Sequence, residues 1–267
     1  MKIAVLGGGN MGYTYAKAFV RSNIVEKENL LIIERFSERR AELEKDGLAT
    51  ITDKIEPGLG DYNILILATK PQDFKKVAEE LKPILKKEQL VISVMAGVTI
   101  ATMSKHLGHD KIARAMPNTP AQLGFGITAF AINKDSSYEN ISEVDTLLET
   151  TGKSIFMKDE AMLDAVTGIS GSGPAYFFYI AKHMIEAGKE MGLDPAIAAM
   201  LVKQTMLGSF QILNNNKSSI DDLIASVASR GGTTQAALDK LIERKVGEGI
   251  NEAVKAAEKR AKELSAE

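Results

Sequence analysis

Through the first 160 or so residues, short apolar runs alternate with longer stretches whose apolar positions recur at helical spacing. Ile3–Leu6 and Leu30–Ile33 read as buried strands, and residues 64–68 (Ile-Leu-Ile-Leu-Ala) are almost purely apolar. A strand apolar on both faces must be covered on both, as in a parallel sheet. Further strands are expected at 90–94, 111–115, 127–132 and 154–157, with helices at Asn10–Arg21, 37–45, 72–81 and Ile100–Leu107. This βαβα rhythm predicts a doubly wound α/β domain of the Rossmann type. The pattern changes near Lys158. From Glu160 onward only helical periodicity remains, with helices expected at 173–191, 195–213, 220–228, 233–244 and 246–264. Gly192-Leu193-Asp194-Pro195 ends one helix and caps the next, and Asn214-Asn215-Asn216-Lys217-Ser218-Ser219 is a second polar break. The expected organisation is a dinucleotide-binding domain over residues 1–162 and an all-α domain over 163–267.

Composition narrows the chemistry. The chain has 267 residues, is 45% hydrophobic and 25% charged, and carries a net charge of −2. A packed core is expected, and no field draws it to nucleic acid or anionic membrane. It contains no cysteine, which removes disulfides, thiolate nucleophiles and thiolate metal sites. The N-terminal apolar run is too short for an export signal, and no later stretch has about 18 uninterrupted apolar residues. The expected compartment is the cytoplasm.

Gly7-Gly8-Gly9-Asn10-Met11-Gly12 is a G-x-G-x-x-G set between a buried strand and an amphipathic helix. In that context Gly7 permits a tight turn, Gly9 lets backbone approach a pyrophosphate, and Gly12 allows close helix–strand packing. The N–H groups of Asn10 and Met11 then open the helix toward the phosphates. Glu34, near the ribose-binding position at the end of the second strand, suits a 2′-hydroxyl and NADH; Arg35 beside it suits a 2′-phosphate and NADPH. The balance leans to NADPH, with NADH possible. Arg39 and Arg40 read as a solvated helix face. Lys70, after the 64–68 strand, stands either toward the cofactor or in solvent.

In the helical half, Ser170-Gly171-Ser172-Gly173-Pro174 precedes a long apolar helix that Ser172 is placed to cap. Ser229-Arg230-Gly231-Gly232-Thr233-Thr234 leads into another helix. A Gly-Gly turn at a helix start gathers N–H groups as an anion site suited to a small carboxylate; simple threonine capping is the other reading. His106, His109 and His183 form no metal set.

These motifs together resemble the pyrroline-5-carboxylate reductase family over the whole chain. The matching residues are the first glycine turn, Lys70-Pro71-Gln72, Ala96-Gly97-Val98-Thr99, Met116-Pro117-Asn118-Thr119-Pro120, the run 168–193 and the run 229–234, the last two being the most specific. The resemblance implies NAD(P)H-dependent reduction of L-1-pyrroline-5-carboxylate to L-proline, the last step of proline biosynthesis. It also implies an interlocked homodimer or larger assembly through the helical domain. By the same resemblance Ser229, Gly231, Gly232 and Thr233 hold the substrate carboxylate and Thr234 bonds the ring nitrogen. Met116 and Asn118 flank the nicotinamide ribose. Arg230 stands where some members have proline. Two other readings share the architecture. A β-hydroxyacid dehydrogenase would place a lysine and an asparagine one turn apart on the long helix, but Lys182 is followed by His183-Met184-Ile185-Glu186. A dinucleotide-binding protein without catalysis would need no carboxylate pocket.

Overall fold

The computed structural model describes residues 1–134 and 136–266. Its strands are β1 (Ile3–Leu6), β2 (Leu30–Ile33), β3 (Thr50–Thr52), β4 (Ile64–Leu67), β5 (Leu90–Ser93), β6 (Ile112–Met116), β7 (Gly126–Ile132) and β8 (Gly152–Phe156). Helices α1 (Asn10–Arg21), α2 (Ser37–Asp46), α3 (Phe74–Leu81), α4 (Ile100–Leu107), α5 (Tyr138–Glu149) and α6 (Met162–Val166) lie among and after them. Then come α7 (Gly173–Glu190), α8 (Pro195–Asn215), α9 (Ile220–Val227), α10 (Thr233–Glu243) and α11 (Val246–Ala266). The eight strands form one sheet in the order β3-β2-β1-β4-β5-β6-β7-β8. All pairs are parallel except β6 with β7. The doubly wound domain followed by helices is thus as the periodicity predicts.

The pleat explains the purely apolar strands. Ile3, Val5, Ile64 and Ile66 face a core completed by Phe19, Leu43 and Leu147 from α1, α2 and α5. Ala4, Leu6, Leu65 and Leu67 face the opposite core, with Phe74, Leu81 and Met103 from α3 and α4. Strand β3, helix α5 and the short helix α6 lie outside the sequence pattern. Strand β3 is three residues of Thr-Ile-Thr at the sheet edge, too short for a periodicity. Helix α5 (Tyr138–Glu149) lies between β7 and β8, where the sequence pattern announces no element. Because β7 and β8 pair in parallel, a crossover is obligatory, and α5 supplies it with buried Val144, Leu147 and Leu148 and a cap in which Ser137 Oγ accepts from Asn140 N.

By contacts the chain divides into two units: Met1–Ser172 with Ala256–Glu267, and Gly173–Lys255. The junction lies ten residues beyond the change in sequence character at 162, and the end of α11 counts with the first unit. In the second unit Asp194 Oδ1 accepts from Ala196 N and Ile197 N, and Gly192 takes φ +90°, the stop-and-restart expected there. Ser219 and Asp222 make a reciprocal capping box. Ser172 does not cap α7: Thr167–Gly171 is a π turn running straight into it, and Ser172 has helical dihedrals of −82° and −20°. A cap needs extended backbone. Only Gly173, Gly188, Ala198 and Val202 of this unit are buried. Phe178, Tyr179, Met200, Leu207, Ile212 and Val227 are among its many exposed apolar side chains. Helix α8 is long and apolar enough, by length and composition, to cross a membrane, although Lys203 and Gln204 interrupt it.

Within the first unit, Arg114 on β6 is buried and bonds Glu160 Oε1 at 3.2 Å, Asp164 Oδ1 at 3.0 Å and Ser265 Oγ at 3.3 Å. Ser265 also donates to Asp164, and Glu160 accepts from Ile100 N at the start of α4. One guanidinium therefore joins the sheet to α6 and to the end of α11. Arg114→Leu should leave two carboxylates uncompensated in a largely dry site, costing about 3 kcal/mol. A two-state denaturant titration should show that loss, and a change under 1 kcal/mol would mean the network is not holding these elements together.

Candidate dinucleotide and carboxylate sites

The sheet reverses direction of winding at β1, which lies between β2 and β4. Ligands of open α/β sheets bind beyond the strand ends at such a switch point. There the backbone turns at Gly7, with φ +103°, into α1. A side chain at position 7 would meet the carbonyl oxygen of Ala68 at 2.5 Å, and one at position 12 would lie 1.9 Å from the carbonyl oxygen of Gly7. Nothing stands within 4 Å of a Cβ built at Gly9, so that glycine leaves open space at the helix start. Gly9 is also the N-cap and makes no side-chain cap bond. The first N–H groups of α1 thus have no partner from the cap, which is the arrangement that binds a phosphate.

Beside this turn is a cavity of about 370 Å³ lined by Gly7, Gly9, Glu34, Arg35, Thr69 and Lys70, among others. Four of the expected cofactor residues, Gly7, Gly9, Arg35 and Lys70, therefore share one cleft. Glu34 is buried and uses both carboxylate oxygens on backbone, accepting from Gly8 N at 2.9 Å and Phe36 N at 2.9 Å. It braces the glycine turn against β2. Arg39 and Arg40 correct the reading of a solvated face. Arg39 Nε donates to the Gly8 carbonyl at 2.9 Å, and Arg40 Nη1 donates to the carbonyls of Glu34 and Arg35. Arg39 also lies 5.3 Å from the ring centroid of Tyr13. The Tyr13 hydroxyl donates to Asp46 at 2.5 Å, and that bond is the first cause holding its phenol above the usual pKa. No periodicity reveals such contacts, because they are made to backbone of another element.

The remaining expected residues lie outside that cleft's lining. Gly12 packs on Val5 and Gly7. Asn10 lines a shallower depression along α1, and Met11 packs against the core from the first turn of the helix. Met116 ends β6, where its methyl fills the place of a side chain at Gly171. Asn118 Oδ1 accepts from Ile127 N at 3.1 Å, fixing the start of β7. Sequence reasoning missed Asp73, which pairs with Arg35 at 2.6 Å.

In the second unit, the run 229–234 forms a turn that starts α10. Gly231 takes φ +73°, and Gly232 is the N-cap. Its N–H is occupied by the Ser229 carbonyl at 2.9 Å. The Ser229 hydroxyl lies 2.4 Å from where a Gly232 Cβ would be. Gly232 has no side chain to cap the helix, and Thr233 and Thr234 occupy the first two helical positions. Threonine capping of α10 is thereby ruled out. What remains is a turn whose leading N–H groups, beside one serine and two threonine hydroxyls, suit a carboxylate.

Comparison with known proteins follows the same division. Residues 160–264 match the family model described as pyrroline-5-carboxylate reductase dimerisation, and residues 2–97 match that described as NADP oxidoreductase, coenzyme F420-dependent. Pyrroline-5-carboxylate reductase 1 of Bacillus spizizenii is 34% identical over 99% of this chain and 89% of its own. The Pseudomonas aeruginosa pyrroline-5-carboxylate reductase is 33% identical over 99% and 97%. The crystal structure of the Plasmodium falciparum reductase with NADP bound superimposes with a TM-score of 0.88 at 26% identity, covering 99% of this chain and 98% of that one. On this evidence the chain belongs to the pyrroline-5-carboxylate reductase family.

Proposed function

We infer that this protein reduces L-1-pyrroline-5-carboxylate to L-proline with NADPH, NADH being the lesser donor. The observation that carries the reading is the uncapped start of α10, where a glycine N-cap offers no side-chain acceptor to the leading N–H groups beside Thr233 and Thr234. Family membership supplies the substrate, and the glycine turn of the first unit fits the dinucleotide. When bound, NADPH supplies the hydride. The chain's own task is placement: Gly7, Gly9 and the first N–H groups of α1, with Asn10 and Met11, hold the phosphates, and Lys70 and Arg35 face the same cleft. Met116 and Asn118 shape the end of β6 beside the ribose. Around the substrate, the N–H groups of Thr233 and Thr234 with the Ser229 hydroxyl hold the carboxylate, and Gly231 supplies the left-handed turn that aims them.

The Thr234 hydroxyl holds the ring nitrogen, which turns from imine to amine as hydride reaches the neighbouring carbon. A protonated imine is already electrophilic, so no strong general acid is needed. The rival hydroxyacid chemistry lacks its proton shuttle: Lys182 lies beside Glu186 at 3.8 Å, and both are solvent-exposed.

The second unit's exposed apolar faces and its match to a dimerisation family support a homodimer or larger homo-oligomer, with the apolar side of α8 covered by protein. In sedimentation velocity the full chain should show no populated monomer at micromolar concentration; a monodisperse monomer would remove the assembly. For the reaction, Thr234→Ala should lower kcat/KM by roughly 10- to 100-fold, the value of a hydrogen bond worth about 1.5–3 kcal/mol. Thr234→Ser should recover most of it, with NADPH affinity unmoved. If both variants turn over normally per folded molecule, Thr234 is only a helix-start residue and the substrate lies elsewhere. Arg35→Ala should weaken NADPH about 10-fold and NADH little, measured by fluorescence titration; equal losses would take Arg35 away from the 2′-phosphate.

A further inference from the structure

Arg35 does not wait for a phosphate unpartnered. Its Nη2 donates to Asp73 Oδ2 at 2.6 Å, and its guanidinium lies 4.9 Å from the ring centroid of Phe36. The two partners come from opposite flanks of β1: Arg35 follows β2, and Asp73 ends the 3-10 turn that follows β4. Both line the cleft that opens beside the glycine turn. Their ion pair therefore joins two residues that line that cleft.

The pair has little to do with stability. The side chains are 51% and 27% exposed, and a pair of that kind contributes about 0–1 kcal/mol. Nor does Asp73 serve α3, whose N-cap it occupies without any side-chain cap bond. Its carboxylate is committed to Arg35 alone among the bonds of the described residues. Any ligand that needs Arg35 must take it from Asp73 or share it, and a dianionic phosphate that shares it meets a like charge close by. A ribose bearing only a 2′-hydroxyl needs neither.

We propose that Asp73 tempers the cofactor preference of this protein by competing with a 2′-phosphate for Arg35. The proposal rests on the cleft being the NAD(P)H site, and it makes Asp73 a specificity-determining residue that touches the cofactor only through its partner. Glu34 is instead turned to backbone, its two oxygens accepting from Gly8 N and Phe36 N. Discrimination between the two cofactors is thus set by the balance of one arginine and one aspartate.

Calorimetric titration of the full-length protein tests this without the imine substrate, using adenosine 2′,5′-bisphosphate and adenosine 5′-monophosphate alongside NADPH and NADH. Asp73→Asn should tighten the bisphosphate and NADPH by about two- to tenfold, the release of a half-exposed pair together with a removed repulsion. The monophosphate and NADH should move less than about twofold, because neither engages Arg35. In an Arg35→Ala background the gain should shrink to the part that relief of repulsion alone supplies, less than about twofold. Asp73→Ser, checked by thermal melt for an intact fold, should repeat the result. No gain for NADPH, an equal gain for both cofactors, or a gain that survives loss of Arg35 undiminished would each overturn the proposal. Wild type that binds NADPH yet fails to reduce the imine would sink the assigned reaction and leave this inference standing. A missing Asp73→Asn gain in protein that does reduce the imine would sink this inference alone. Wild type that binds neither dinucleotide would overturn both.

Discussion

The contact on which the first unit's chemistry depends is the approach of α1 to the end of β1. The carbonyl of Gly7 sits where any side chain at position 12 would have to be. Only with glycine at both positions can the helix begin directly over the strand end. That placement brings the first N–H groups of α1 to the switch point of the sheet. Everything at the cleft is arranged around it. Glu34 and Arg39 hold Gly8 by its N–H and its carbonyl respectively, so the turn is braced from β2 and α2 before any ligand arrives. Preorganised backbone of this kind reduces the ordering cost of binding.

A second arginine organises the other end of the unit. Arg114 gathers Glu160, Asp164 and Ser265 onto β6, and Leu264 packs over Gly97 close enough that a Cβ there would meet its own at 2.8 Å. These contacts draw the segment after β8 and the final turns of the chain into the first unit. The division by contacts at Ser172 and Ala256 follows from them. The buried charges hold together stretches that are far apart in sequence, which apolar periodicity alone would have assigned to the helical half.

The second unit is built on the opposite economy. Helices α8 and α9 are capped by Asp194 and Ser219, yet among 173–255 only four residues are buried. Phe177 and Phe210 meet edge-on at 5.1 Å between α7 and α8, but most of the large apolar side chains have no cover within the chain. Such surface is characteristic of an interface cut in half.

The strand and helix order, the glycine turn and the helical second half were all legible in the sequence, because each depends on a local period or a local backbone requirement. The 229–234 turn was legible as a Gly-Gly turn leading into a helix, but only the structure, by placing Gly232 at the N-cap, removed threonine capping as its alternative. Helix α5 was recoverable only from topology, because the parallel pairing of β7 with β8 demands a crossover that its weak pattern did not announce. Periodicity could not reveal what a charged side chain reaches across space. Glu34 read as a ribose ligand and became a brace, while Arg39 and Arg40 read as solvated and bind carbonyls. Asp73 read as nothing and is the partner of Arg35. Those outcomes were decided by the parallel pairing of β2, β1 and β4, which brings residues 8, 34, 35, 39 and 73 to the carboxyl ends of neighbouring strands, and hydrogen bonds between such distant positions have no signature along the chain.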